Sequence, residues 1–259
     1  MTTEPRRHAE YTLDLLWVFF TRDLKVQYKR SLLGVAWSLI YPVVQLLVFA
    51  FLFKLVFGVS TPRYSAYAFS GILAWSFFSN ALIQGTQAIT NNRELVRQPG
   101  FPIALLPVSV LNTALYQTLV ALPVLFVCLA IEDIAIDIHV LEVIPLLAVQ
   151  FLLSLGLVYF LAAVNVLFRD VQHIVGLLLH LFMFVNPVFW ERSALPAEYL
   201  WVYELNPLAG LLDAYRAVLL HQQSPPWAFL TVLSVVSIGL VLVGHRWFRH
   251  MGHLFAEEL

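Results

Sequence analysis

Few side chains in this sequence are spaced for covalent chemistry. His173 and His180 recur at i, i+7, and His250 and His253 at i, i+3, but no Asp or Glu completes a ligand set beside either pair. Cys128 is the single cysteine, which excludes an internal disulfide and a multi-cysteine metal or redox site. No nucleophile stands beside a general base. No glycine-rich loop ending in Gly-Lys-Ser or Gly-Lys-Thr occurs, so the chain has no phosphate loop for ATP. We therefore expect no catalytic residue, no metal and no cofactor in this chain, with any ATP and Mg bound by another subunit.

The remaining polar groups suit recognition and movement. Arg22, Lys25 and Lys29 lie on one face of a helical pattern in which Leu13, Trp17, Phe20, Leu24 and Tyr28 mark another. With Arg30, this reads as a helix over residues 11–30 lying in the headgroup plane, rings toward lipid and cations toward water and phosphate. It serves either as an inside-positive anchor or as a contact for a cytoplasmic partner. A second candidate is the mixed-charge stub Asn91-Asn92-Arg93-Glu94-Leu95-Val96-Arg97-Gln98, stopped by Pro99 and Gly100. It is either a connector or a short helix that fits a groove of a soluble subunit.

Two polar stripes recur at helical spacing: Ser76, Asn80, Gln84 and Gln87, then Ser109, Asn112, Thr113 and Tyr116. They are expected to face each other, as interhelical hydrogen bonds or as the wall of a polar conduit. Aromatic residues form 14% of the chain. Trp37, Tyr41, Phe49, Phe51 and Phe53 crowd one apolar run, and Phe182, Phe184, Phe189 and Trp190 another. Such rings face lipid or interface, or stack on sugar C–H faces.

These groups need elements to hold them, and composition says which. At 60% hydrophobic, 12% charged and a mean hydropathy of +0.80, the 259 residues have too little polar surface to cover a soluble fold. Fifteen Lys and Arg against 16 Asp and Glu leave no positive excess for nucleic acid. Six charge-free stretches follow one another: Ser31–Phe53, Tyr64–Asn92, Gln98–Ile131, Val143–Phe168, Val171–Trp190 and Ala217–His245. Each has at least 20 residues, enough to cross about 30 Å of hydrocarbon as a helix. We expect an all-α integral membrane protein, one transmembrane domain over residues 1–259. Its spans lie near 32–56, 66–88, 103–131, 143–167, 171–190 and 226–246, with residues 191–225 extracytoplasmic.

Eleven Lys and Arg fall on the side that holds both termini and four (Lys54, Arg63, Arg192, Arg216) on the other, which puts both ends in the cytoplasm. The short apolar core Leu15–Phe20, with charge resuming at Arg22, gives no cleavable signal. No formal charge interrupts the six runs. An ion-coupled transporter keeps such charges as its ion site, so ion coupling is disfavoured.

The order of segments resembles polysaccharide-exporting ABC type-2 permeases, the membrane subunits that move O-antigen, teichoic acid and related lipid-linked glycans. The matching residues are Arg22 to Trp37 followed by Tyr41-Pro42, Phe101-Pro102 with Leu106-Pro107, and Leu167-Phe168-Arg169-Asp170. Asn186-Pro187, Asn206-Pro207 and Tyr215-Arg216 complete the set. The resemblance implies a homodimer in the bacterial inner membrane, each copy paired with a nucleotide-binding ABC ATPase. It implies that the surface helix (Arg22, Lys25, Tyr28, Lys29, Arg30) and the stub (Asn91, Asn92, Arg93, Glu94, Leu95, Arg97) touch that ATPase. Spans one and five would flank the conduit, with Trp37, Tyr41, Phe49, Asn80, Gln84, Phe182 and Phe189 as its lining. Short re-entrant helices would occupy the outer segment. The cations of the surface helix would also meet membrane lipids and the lipid pyrophosphate of the substrate. A small-molecule or drug exporter of the same class stays open, followed by an ion-coupled transporter and a membrane enzyme.

Overall fold

The computed structural model describes residues 14–25, 33–56, 58 and 62–258. Ten α-helices run through them: α1 (residues 14–25), α2 (Trp37–Ala50), α3 (Tyr64–Thr86), α4 (Arg93–Val96) and α5 (Leu105–Ile131), then α6 (Val143–Leu167), α7 (Val171–Val185), α8 (Leu200–Leu205), α9 (Pro207–Leu219) and α10 (Trp227–Glu258). A 3-10 turn, Gly34–Ala36, leads into α2, and a π-helical turn, Phe51–Val56, extends it. No strand occurs among the described residues.

Five helical segments are long and apolar enough to cross a membrane: Gly34–Phe53, Tyr64–Thr86, Leu105–Ile131, Ile138–Leu167 and Trp227–Phe255. The sixth expected span, residues 171–190, is cut short. Its helix ends at Val185 after 15 residues, about 22 Å at 1.5 Å per residue. Asn186 takes an extended ψ of 146°, because the ring of Pro187 excludes the helical region for the residue before it. The last helix is longer than the expected 226–246, spanning 32 residues to Glu258. Of the interfacial helix expected over 11–30, only residues 14–25 are described; Tyr28, Lys29 and Arg30 lie outside the described residues.

α3 is the axis of the bundle. Tyr64, Phe69, Ile72, Phe77 and Ala81 are buried, and α2, α5, α6, α7 and α9 all pack on it. Its N-terminus is capped from α5, where Glu132 accepts from the backbone N–H of Ser65 (2.8 Å) and Ala66 (3.1 Å). A carboxylate there satisfies two orphan donors and the positive end of the helix dipole. α6 and α10 meet backbone to backbone: a Cβ on Gly156 would stand 2.9 Å from the Leu240 carbonyl carbon, and one on Gly244 2.8 Å from the Gly156 oxygen. Small residues allow this approach, and without water to drive burial it supplies the packing between membrane helices.

One end of the bundle gathers α1, α4, the start of α5 and the last turns of α10. Tyr159 donates to the Ala104 carbonyl (3.2 Å) and its ring meets Phe248 at 5.3 Å. At the other end, α9 packs back onto α3 and α6. Tyr215 donates to Gln150 Oε1 (2.8 Å), and Gln150 Nε2 donates to the Ala74 carbonyl (2.8 Å), tying three helices through one buried amide.

Candidate functional site

Three groups of residues are assembled by this frame. The first joins α1 to the stub. Phe19 buries its ring against Phe101 and Phe20 lies edge-on to Tyr116. Between them, Arg22 donates to Asp23 Oδ1 (2.7 Å) and to Asn92 Oδ1 (2.7 Å), while Ser109 donates to Asp23 Oδ2 (3.0 Å). The guanidinium also lies 5.1 Å from the Phe19 ring. α1, the stub and α5 are thus joined in one hydrogen-bonded cluster. Val96 buries the stub's apolar side, whereas Asn91, Glu94 and Arg97 are exposed. Arg93 donates to the Thr90 carbonyl (3.1 Å), and Leu95 is half-buried. Lys25 is exposed at the end of the described part of α1.

The second group is a groove along α2. One cavity of about 260 Å³ is lined by Trp37, Tyr41, Asn80, Gln84, Gln117 and Thr118 among others. A second, of about 130 Å³, shares Tyr41, Ser76 and Asn80 with it and adds Gln45, His180 and Met183. Rings and uncharged amides alternate on these walls. That suits hydroxylated sugars, whose C–H faces stack on rings and whose hydroxyls exchange hydrogen bonds with amides, without any fixed charge to trap them.

Ser76, Asn80 and Gln84 of the α3 stripe line a cavity, whereas Gln87 accepts from Asn91 beyond the end of the helix, and the partner of the three is not the expected α5 stripe. Ser109 and Tyr116 turn to α1, and Thr113 spends its hydroxyl on the Ser109 carbonyl of its own helix (3.1 Å). Gln117 and Thr118, one and two residues further along the 3.6-residue period, face the cavity instead.

The third group ends the groove. Tyr41, Gln45, Phe49 and Phe53 follow one another at intervals of four, so one face of α2 passes from polar groove to rings. Phe49 stacks on Phe189 at 3.6 Å and 18°, with Phe53, Tyr64 and Phe184 around them. Phe189 is 2% exposed. Among the residues expected to line a conduit, Trp37, Tyr41, Asn80 and Gln84 therefore share one cavity. Phe49 and Phe189 fill the space beyond it, and Phe182 lies exposed on α7.

One charged residue beside this third region was not given a site role from the sequence. Arg216, counted as an outer-side charge and quoted in the Tyr215-Arg216 pair without a role of its own, is 3% exposed. Its guanidinium stacks 3.6 Å over the Tyr67 ring and Nη2 donates to the carbonyls of Pro187 (2.6 Å) and Val188 (3.0 Å). Burial pushes its pKa below the ordinary guanidinium value, and the nearby Tyr67 and Asp213 oppose that shift. Tyr203 donates to both Asp213 oxygens at 2.7 Å. A signal was available: Leu208, Leu212 and Leu219 set the apolar face of α9, and Arg216 falls on it, four residues after Leu212.

A bundle of helices long and apolar enough to cross a membrane, with an uncharged, ring-lined groove, defines a multi-pass membrane protein. The chain belongs to the ABC-2 type transporter family, whose pattern matches residues 14–220. It is similar to the O-antigen export system permease protein RfbA of Myxococcus xanthus, 33% identical over 247 residues and 95% of each chain. Two proteins of the same name from Klebsiella pneumoniae are 27% and 26% identical over 260 residues, covering the whole of both chains.

Proposed function

We propose that this chain is the transmembrane subunit of an ATP-driven exporter that moves an O-antigen polysaccharide, carried on a lipid, across the bacterial cytoplasmic membrane. The observation that carries the reading is similarity to O-antigen export permeases along essentially the full chain, combined with a groove of rings and amides free of charge. ABC-2 membrane subunits are paired with an ABC ATPase, and the exposed edge of the stub with α1 behind it is the surface we assign to that partner.

In this reading a homodimer places α2 and α7 of each copy around the path. Both helices leave apolar side chains uncovered, including Leu47, Val48, Leu177 and Leu181. Residues 186–190 complete the crossing begun by α7, which makes six spans with both termini cytoplasmic. Non-helical backbone at that depth is tolerable because α3 and α9 cover it. α8 and α9 are the re-entrant pieces of the outer segment, α9 reaching Gln150 of α6, which in turn donates to Ala74 of α3.

Three steps follow. ATP binding closes the ATPase dimer; the stub, α1 and α5 carry that motion into the bundle as one body; the α2 and α7 walls part and the glycan advances along the groove. Arg22 and Lys25 stand where a lipid pyrophosphate would approach. The test is complementation: in a cell lacking its own O-antigen permease but keeping the ATPase, this chain should restore surface polysaccharide. The Arg93→Glu, Glu94→Arg double variant should insert normally and not restore it. Restoration in cells without any ABC ATPase of this class would overturn the proposal.

A further inference from the structure

We infer that Phe189 is a plug closing the groove at the end away from α1, and that Arg216 is the latch that seats it; this rests on the reading of the groove as the export path. Phe189 sits in non-helical backbone after α7 and stacks on Phe49 of α2, so it can move without unwinding a helix. Its ring rests on Phe49 and Phe53, while the side-chain hydrogen bonds that its segment accepts come from α3, α9 and the segment just before α9. Arg216 donates to the two carbonyls preceding Phe189, Tyr67 donates to the carbonyl following it (Trp190, 2.6 Å), and Asn206 donates to Asn186 Oδ1 (2.9 Å).

The latch is metastable by construction. Only Nη2 of Arg216 finds acceptors; Nε and Nη1 are buried with no hydrogen-bond partner among the described residues, and no carboxylate comes within ion-pair distance. A buried cation satisfied on one side stabilises one arrangement while leaving a second accessible once water or a carboxylate can reach it. Asp213 lines the same cavity of about 710 Å³ as Arg216, Tyr67 and Glu191, one helical turn before Arg216 on α9. Outward movement of residues 187–190 would let Arg216 exchange the two carbonyls for these acids. Close approach is also written into α3: a Cβ on Gly71 would fall 2.8 Å from the Val188 oxygen and 3.0 Å from Arg216 Nη2, so any larger residue pushes the segment off its seat.

Thiol accessibility reads the closed state without measuring export, so its failure is distinct from failure of the export reading. In the full transporter in spheroplasts, with buried Cys128 replaced by Ala, Asn80→Cys reports the groove to a membrane-impermeant maleimide added outside. Phe189→Ala, Arg216→Gln and Gly71→Ala should each raise labelling roughly tenfold, as expected when a closed state is no longer held. Arg216→Lys should recover part of the protection. Gly71→Ala breaks the latch with Arg216 intact, so it carries the test if Arg216→Gln does not fold. Unchanged labelling in Phe189→Ala would remove the plug. A rise there without one in Gly71→Ala and Arg216→Gln would remove the latch.

Discussion

Arg22 and Asn92, seventy positions apart, are joined by a 2.7 Å hydrogen bond from the guanidinium to the amide oxygen, and Asp23 ties the same pair to Ser109 of α5. Motion delivered to either α1 or the stub is therefore delivered to both and to a spanning helix. Arg22→Ala and Asn92→Ala should each slow export by roughly fivefold, about 1 kcal/mol of lost coupling, with the double variant no worse than either alone. ATP hydrolysis by the partner should continue at its normal rate. Additive losses in a double-mutant cycle would show that the two residues act separately.

Rings on α2 should matter for glycan and not for assembly. Trp37 and Tyr41 are half or more exposed yet line the groove, so truncating them costs little packing. Trp37→Ala and Tyr41→Ala should each reduce export roughly fivefold, the loss of about 1 kcal/mol of stacking, while detergent melting stays unchanged. Equal losses in export and in folded yield would make these rings structural.

The α6–α10 seam makes a sharper stability test. Gly156→Ala places its methyl 2.7 Å from Leu240 Cβ and 2.9 Å from Leu240 backbone, so we expect a loss of about 1–3 kcal/mol in denaturant unfolding. Gly176→Ala on α7 meets open space and should be neutral or slightly stabilising, because alanine is the better helix former by about 1 kcal/mol. Similar losses in both would mean that the seam is not closely packed.

Much of this frame was legible in the sequence because charge is so costly in hydrocarbon that its absence marks each span. The exceptions have physical causes. Residues 186–190 are as free of charge as a span, but Pro187 dictates the backbone of Asn186 whatever the charge count. Arg216 was hidden because a count by sides treats every outer cation as solvated, whereas the register of α9 turns this one inward. The Arg22–Asn92 bond has no local signature at all, since it depends on how two distant segments dock. Gln150 sat unnoticed in a charge-free run, although an amide amid leucines in a membrane helix needs partners, and it has Ala74 and Tyr215.

Alkaline pH should loosen α8 and α9. Burial raises the phenol pKa of both Tyr203 and Tyr215 above the ordinary value near 10, and for Tyr203 the hydrogen bond to Asp213 and its charge add to the rise. A folded-state pKa raised above the unfolded one gives stability that is complete below about pH 10 and lost as pH climbs beyond it. Melting temperature should therefore show no tyrosine-linked fall between pH 7 and 9 and decline above about 10. Tyr203→Phe should shrink that decline. An unchanged decline in the variant would assign it to other groups.

The central claim is that this membrane chain takes its energy from a nucleotide-hydrolysing partner. It is tested most directly in proteoliposomes holding the chain with or without its cognate ABC ATPase, following a lipid-linked glycan into the compartment opposite its addition. We expect transport only with the ATPase and ATP, and none from a proton or sodium gradient alone. Gradient-driven transport by this chain without the ATPase would contradict the account.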